Sequence, residues 1–453
     1  MVNYTDIDYM SFSGMMHGYL AFDSQGQLLT PFRTWRNTTT QKASKELTEL
    51  FAFNIPQRWS IAHLHQAILD KEEHVKEIAY LTTLAGYIHW KLTGVKAVGV
   101  GEASGMFPVD SLTGQFDQNK IDAYDQAIQH VDKGWTLLDI LPDILSAGES
   151  AGSLTKEGAI LIDPSGTLKP GVRFCPPEGD AGTGMVATNA VAEQTGNVSA
   201  GTSVFAMLVL KNSLLDYYEE IDMVTTPAGK PTAMVHCNNF TTDINAWAGL
   251  FKDLFESFGF EVSDSQLFHT LFNKALEAEP DNGQLMSCNY YSGEPITGLE
   301  EGRPLFVQMP DSTLSLANFM RTQIYSALAT LKLGMDTLIL EEGVSIKQIV
   351  GHGGFFKTAH VGQQMMADAL NASISVTQSA GEGGPWGMAL LASYLINKEA
   401  EENLEDFLSD KVFSQQQSHA IKPQKEGQAA FKDFLLRYKE LLKVEKSAVS
   451  HMQ

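Results

Sequence analysis

Twice along this chain, strand-length apolar runs joined by tight polar turns are followed by a series of amphipathic helices, and this recurrence limits the fold more than any other feature. The first opening is "YMSFSGMMHGYLAFDSQGQLLTPFRTWRN", where Gly14, Gly18 and the turn "DSQG" separate the runs. Three helical patterns follow it: "TQKASKELTELF" with Ala43, Leu47, Leu50 and Phe51 on one face, then "SIAHLHQAILD", then "LTTLAGYIHWKLTG", which stops at Gly94. The second opening is two hairpins, "GNVSAGTSVFAMLVL" and "IDMVTTPAGKPTAMVHC", and the helix "TTDINAWAGLFKDLFESF" comes after them. Strand-rich openings that each lead into helices predict two related α/β domains with a cleft between them. A length of 453 residues suffices for two cores, and the boundary falls at 190 to 191, giving domains 1–190 and 191–453.

The 54 acidic residues outnumber the 32 basic ones, and the net charge of −22 repels nucleic-acid phosphates and anionic lipid in the absence of a basic patch. Neither nucleic acid nor membrane is expected as a partner. Cys175, Cys237 and Cys288 stand far apart with no CxxC pair, which argues against a disulfide framework or a zinc site and fits a reducing cytoplasm. No run is apolar for the roughly 18 residues a membrane helix needs. The opening "MVNYTDIDYM" lacks the basic and apolar regions of a signal peptide.

Four stretches hold residues suited to chemistry. In "PPEGDAGTGM", Asp180 stands at the start of a small-residue helix, as an N-cap or as a carboxylate open to an alcohol proton. The hairpin tip "AGTS", with Gly201, Thr202 and Ser203, either satisfies its own turn or cradles a terminal phosphate. The segment "IKQIVGHGGFFKTAHVGQQMMADAL" reads as a strand entering a glycine turn and leaving as a helix. Its glycines serve sterics, or they admit a phosphate or a flat base beside a helix N-terminus; no GK[ST] follows, so it is not a Walker loop. His17 in "MMHGY", with Arg36 and Asn37 in "TWRN", would make a polar pocket for a hydroxylated ligand. A loop "QSAGEGGPWG", a helix "MALLASYLI" and a charged helical tail lying outside the cleft complete the chain.

Taken in order, these stretches resemble the FGGY carbohydrate kinases. "SFSGMMHGYLAFDSQGQLLTPFRTWRNTTT" is similar to their sugar-binding segment and "PPEGDAGTGM" to their glycine-aspartate catalytic motif. "GNVSAGTS" is similar to their second phosphate hairpin, and "IVGHGGFFKTAHVGQQMMADALNASISVTQSAGEGGPWGMALLASY" to their adenosine segment. The resemblance points to the xylulokinase-like, ketose-phosphorylating side of the family. It implies two ribonuclease-H-like domains, as in actin and the chaperone ATPases, that close on ATP and sugar with Mg²⁺ as the metal. Carried over by position, Asp180 is the base for the sugar hydroxyl, and Met16, His17, Gly18, Arg36 and Asn37 line the sugar pocket. Gly201, Thr202 and Ser203 face the phosphates. Gly353, Gly354 and Phe355, with Glu382 and Gly383, bed the adenosine. The glycines around Asp180 are expected to leave room for substrate. No metal ligand is assigned, and a homodimer is left open.

The family also opens with an aspartate-glycine-threonine-threonine hairpin that holds phosphates and metal, and this sequence shows none. Either the sequence begins at an internal methionine, or the first domain is truly shortened at its N-terminus, in which case ATP binding is expected to be weak. Arg36 and Asn37 stand where the family commonly has asparagine and aspartate, Leu84 to Gly86 where it has a proline-lysine-aspartate run, and Tyr325 where a glutamate is common. Two other readings stay open: a non-catalytic relative that binds sugar or nucleotide, and an actin- or chaperone-like ATPase.

Overall fold

A computed structural model describes residues 7–376, 383–415 and 419–452. The chain forms two compact units. One consists of Met1–Glu193, Val209–Ala233 and Glu382–Gln416, the other of Gln194–Leu208, Met234–Gly381 and Gln417–Gln453.

In the first unit the opening runs make short strands, because glycines and polar residues interrupt them every few positions. Tyr9–Met10 pairs parallel with Arg173–Phe174, Ser13–Gly14 parallel with Glu178–Gly179, and Leu20–Phe22 antiparallel with Tyr80–Thr82. The predicted helices are present as Gln41–Phe51, Ser60–Leu69 and Leu84–Thr93. Gly94, with φ of 78°, ends the last of them in the left-handed conformation that favours glycine. Parallel pairing of Ser13–Gly14 with Glu178–Gly179 brings the chain's opening beside the helix Asp180–Ala187.

The helix Gly383–Asn397 packs against that same helix. A Cβ on Gly387 would overlap the Thr183 carbonyl, and one on Gly384 would lie 2.7 Å from Ser13 Oγ, so glycine is what lets the two helices approach. Ser13 and Thr183 share a hydrogen bond of 2.7 Å across the same contact. The structure therefore corrects the sequence reading of 378–387 as loop: the helix already runs from Gly383, because its glycines are needed for contact.

The second unit is built on a sheet. Thr195–Ala200 pairs antiparallel with Val204–Val209 and parallel with Gln348–His352, which pairs parallel with Ile374–Val376. The helix Leu316–Asp336 is buried along most of its length. Against it lies the tail helix Lys425–His451, with Tyr325 meeting Phe431 and Phe434 at ring-centroid distances of 5.0 and 5.5 Å. Expected as a peripheral charged helix, it instead buries Phe431, Phe434, Leu435, Tyr438 and Leu441, since its apolar positions recur every three to four residues among the charges. Tyr325, noted for replacing a glutamate, is thus an aromatic core residue. Arg321 donates to the carbonyls of Ala275, Leu276 and Glu279 and so closes the end of a neighbouring helix.

Candidate active site

Asp180 is the first residue of its helix, with Gly179 as N-cap. It is exposed, and its Oδ1 accepts from the backbone N–H of Ala181 at 3.1 Å and of Met16 at 3.4 Å. The protein around it withholds enough water to raise its acid above the ordinary aspartate value, an effect the two N–H groups partly offset. A free carboxylate of raised basicity at a helix start is suited to taking a proton.

Behind Asp180 lie two further carboxyl groups, Glu178 and Glu102, both buried. Glu178 accepts from the N–H groups of Gly101 at 3.2 Å and Glu102 at 2.9 Å, and burial pushes its acid up to about 8. Glu102 is 0% exposed and neither carboxyl oxygen has a hydrogen bond of good geometry, although the Thr83 hydroxyl is near enough to temper its shift. Burial first, then Glu178 and Asp180, hold the Glu102 acid well above its usual range.

The glycines of this region make room for these groups. A Cβ on Gly179 would lie 2.6 Å from Glu102 Oε2 and would overlap Met16, and one on Gly101 would lie 2.5 Å from Glu178 Oε2. Gly182 faces Pro227 at 3.3 Å. The bareness of "PPEGDAGTGM" is thus used in part for close internal packing, at Gly179 and Gly182.

A buried acid that keeps its proton costs stability as pH rises. An unfolded glutamate releases its proton near about 4.3, whereas folded Glu102 retains it, so above that pH the folded state binds one proton more and stability falls with pH. Glu178 adds to this fall until about 8. Glu102→Gln is expected to lessen the decline of stability as pH rises above about 4.3. Denaturation of both proteins across that range checks this, and parallel curves would contradict it.

His17 lies beside Met16, with φ of 68°, and Gly18 follows with φ of 90°. A Cβ on Gly105 would lie 2.7 Å from His17 Nδ1, so that glycine admits the imidazole. Nδ1 lies 3.0 Å from the Gly105 carbonyl, and the ring stacks on Trp59. Burial, aided by the Arg58 charge, lowers its pKa to about 3. The neutral ring must then place its proton on Nδ1 to serve that carbonyl, which leaves Nε2 as an acceptor. Arg58, which the sequence reading missed, is itself paired with Asp222, and Asp222 also accepts from Asn54 at 3.0 Å.

Arg36 and Asn37 each make a local contact. Arg36 lies over the Trp35 ring at 5.1 Å, and Asn37 Oδ1 accepts from the N–H and hydroxyl of Thr39. A separate cavity of about 360 Å³ in this unit, lined among others by Asn54, Asp117, Lys120 and Tyr217, contains none of the predicted site residues. Its Asp117 and Lys120 are paired with each other.

In the second unit the tip Gly201–Ser203 and the turn at Gly353 come together. His352 pairs with Ser199, and Gly353, at φ of 105°, runs so close to Ala200 that a Cβ would overlap its carbonyl oxygen. The carbonyl of Gly201 accepts from the Thr241 hydroxyl at 2.7 Å and N–H at 3.3 Å, and that of Thr202 from the Phe240 N–H at 2.9 Å. Among the described residues there are no cis peptides, so the N–H of each peptide points opposite its carbonyl. The N–H groups of Thr202 and Ser203 therefore face away from residues 240–242, as a pair of donors for an anion.

Gly353 and Gly354 are exposed beside this tip, with nothing within 4 Å of a Cβ on Gly354. Phe355 is 1% exposed and packs against Phe240, Phe272 and Phe356, beneath the turn. Gly383 begins its helix in the first unit, with φ of 50°. Glu382 lies outside the described residues.

Among the described residues no group of three or more His, Cys, Asp or Glu could hold a metal, and no helix is long and apolar enough to cross a membrane. The sequence matches the N-terminal domain of the FGGY family of carbohydrate kinases over residues 1–163 and its C-terminal domain over 196–396. It is 23% identical over 410 residues to a xylulose kinase of Haemophilus influenzae, covering 86% of this chain and 75% of that protein. In structure it is similar to a ligand-bound xylulose kinase of Lactobacillus acidophilus, with a TM-score of 0.77 and 17% identity, covering 98% of this chain and 85% of the other. A gluconate kinase of the same organism gives a TM-score of 0.77 and 18% identity, covering 96% and 84%.

Proposed function

The chain belongs to the FGGY family of carbohydrate kinases and has its two-domain, ribonuclease-H-like fold, and from that premise we propose that it phosphorylates a ketopentose or a closely related sugar. That it is an ATP-dependent sugar kinase follows from the family. The choice of acceptor rests on the "MMHG" segment and on the xylulose kinases it resembles. The observation that carries the mechanism is Asp180, an exposed carboxylate of raised basicity adjoining Met16.

In this reading Asp180 takes the proton of the acceptor hydroxyl as its oxygen bonds to the γ-phosphorus and the bond to ADP breaks. His17, neutral with Nε2 as acceptor, receives a hydrogen bond from another sugar hydroxyl. The outward N–H groups of Thr202 and Ser203 hold phosphate oxygens, and Gly353 and Gly354 admit the nucleoside. A Mg²⁺ would arrive on the nucleotide phosphates, since such an ion needs only one or two carboxylates and no protein cage. Bound there, it would offset phosphate charge. The protein would act in the cytoplasm.

Initial rates with xylulose, ribulose, gluconate, glycerol and aldopentoses test the acceptor. The highest kcat/KM is expected for a ketopentose. Preference for gluconate or glycerol would reject that choice while leaving the kinase assignment in place.

A further inference from the structure

Glu294 lies outside every motif that pointed to the function, yet it connects to the phosphate-binding tip through hydrogen bonds to Asn239 and the two residues that follow it in the backbone. It is 0% exposed. Its Oε2 accepts from both the backbone N–H and Nδ2 of Asn239, each at 3.1 Å, and its Oε1 has no hydrogen bond of good geometry, although the backbone N–H groups of Asn238 and Ile296 are near enough to temper its shift. The backbone of Glu294 is itself held, its N–H donating to the Leu299 carbonyl at 2.7 Å. Asn239 Oδ1 accepts from the N–H groups of Tyr291 at 2.9 Å and Ser292 at 3.1 Å, which fastens the amide to the same turn. Asn289 Nδ2 donates to the Phe240 carbonyl at 3.0 Å.

The next two residues, Phe240 and Thr241, are the ones that grip the carbonyls of Thr202 and Gly201. The direction of the outward N–H pair is thus set by a segment whose own position is set by a buried carboxylate. A carboxylate costs more to bury than an apolar side chain, so packing alone does not account for it.

We propose that Glu294 and Asn239 are positioning residues for nucleotide binding: a buried carboxylate-amide clamp that, through Phe240 and Thr241, aims the Thr202 and Ser203 N–H groups at the phosphates. The inference rests on the reading of that tip as the phosphate site. Glu294 touches no ligand and acts only through the backbone it holds. Burial pushes its acid up to about 7, while the N–H groups of Asn239 pull it back toward the carboxylate.

The test measures ADP binding by calorimetry on the full chain without sugar, and KM for ATP and for sugar in turnover. Glu294→Ala is expected to weaken ADP binding and raise the KM for ATP by about tenfold or more, with the KM for sugar unchanged. Glu294→Gln, whose amide oxygen can still accept from Asn239, is expected to restore most of the affinity. Thr241→Val removes only the 2.7 Å bond to Gly201 from a half-buried position, and is expected to weaken ADP binding about threefold to tenfold; it carries the test if Glu294→Ala does not fold. Wild-type ADP affinity in Thr241→Val, or equal rises in both KM values, would overturn the clamp. Failure of the wild-type chain to bind ADP would instead overturn the phosphate-site reading, and the clamp with it.

Discussion

Asp180→Asn is expected to lower kcat by about 10²- to 10⁴-fold, the usual contribution of a positioned general base, while the sugar still binds with near wild-type affinity. Asparagine has nearly the same shape, and its amide oxygen can accept from the Met16 and Ala181 N–H groups as the aspartate does. What it loses is the ability to take a proton. The pH dependence gives a second handle. Only the ionised carboxylate is a base, and burial raises its acid above the ordinary aspartate value. The acidic limb of kcat/KM should therefore lie above about 3.9 and rise to a plateau toward neutral pH. His17 should add no inflection between pH 5 and 8, since burial holds its pKa at about 3. ADP release and sugar binding measured on both proteins would show the split between kcat and affinity. Loss of sugar binding in the mutant would mean that Asp180 anchors the substrate and does not act as base.

Gly353→Ala is expected to have the second largest effect. With φ of 105° the residue lies where L side chains are strained, and the new Cβ would overlap the Ala200 carbonyl oxygen and sit 2.9 Å from its carbon. Those neighbours are backbone of a paired strand and cannot swing aside. Strain and overlap together should cost about 3 kcal/mol or more, a fall in melting temperature of about 6 to 12 °C for a unit of this size. The turn should also part from the hairpin tip and weaken ADP binding. Gly354→Ala is the control: nothing lies within 4 Å of its Cβ, so stability should be unchanged, and any loss of nucleotide affinity there reports a ligand contact. Equal melting temperatures for the two variants would contradict this account of the turn.

The parts of the fold that local periodicity encodes were legible from sequence. Gln41–Phe51, Ser60–Leu69, Leu84–Thr93 and Leu316–Asp336 all follow their apolar spacing, and the hairpin Thr195–Ala200 with Val204–Val209 follows its polar tip. Asp180 was legible as a helix start. Its neighbour Glu178 was not, because two acids separated by one glycine look alike in sequence, and only pairing of Glu178–Gly179 with Ser13–Gly14 turns one inward and leaves the other exposed. Glu102, Glu294 and Arg58 were missed for a related reason: each is defined by partners far along the chain, and a lone charged residue carries no spacing signal. The tail helix misled in the opposite sense. Its charges dominate the composition, but burial is decided by the one stripe that holds Phe431, Phe434, Tyr438 and Leu441. Nor does the sequence alone show that glycines near Asp180 accommodate Glu102, Glu178 and Met16.

The most direct test is to incubate the purified chain with ATP, Mg²⁺ and xylulose or ribulose, beside Asp180→Asn, and to look for the sugar phosphate by mass spectrometry while ADP is followed in parallel. The account predicts stoichiometric ketopentose phosphate and ADP from the wild-type chain and almost none from the mutant. ADP formed without a phosphorylated sugar, or equal sugar phosphate from both proteins, would contradict it.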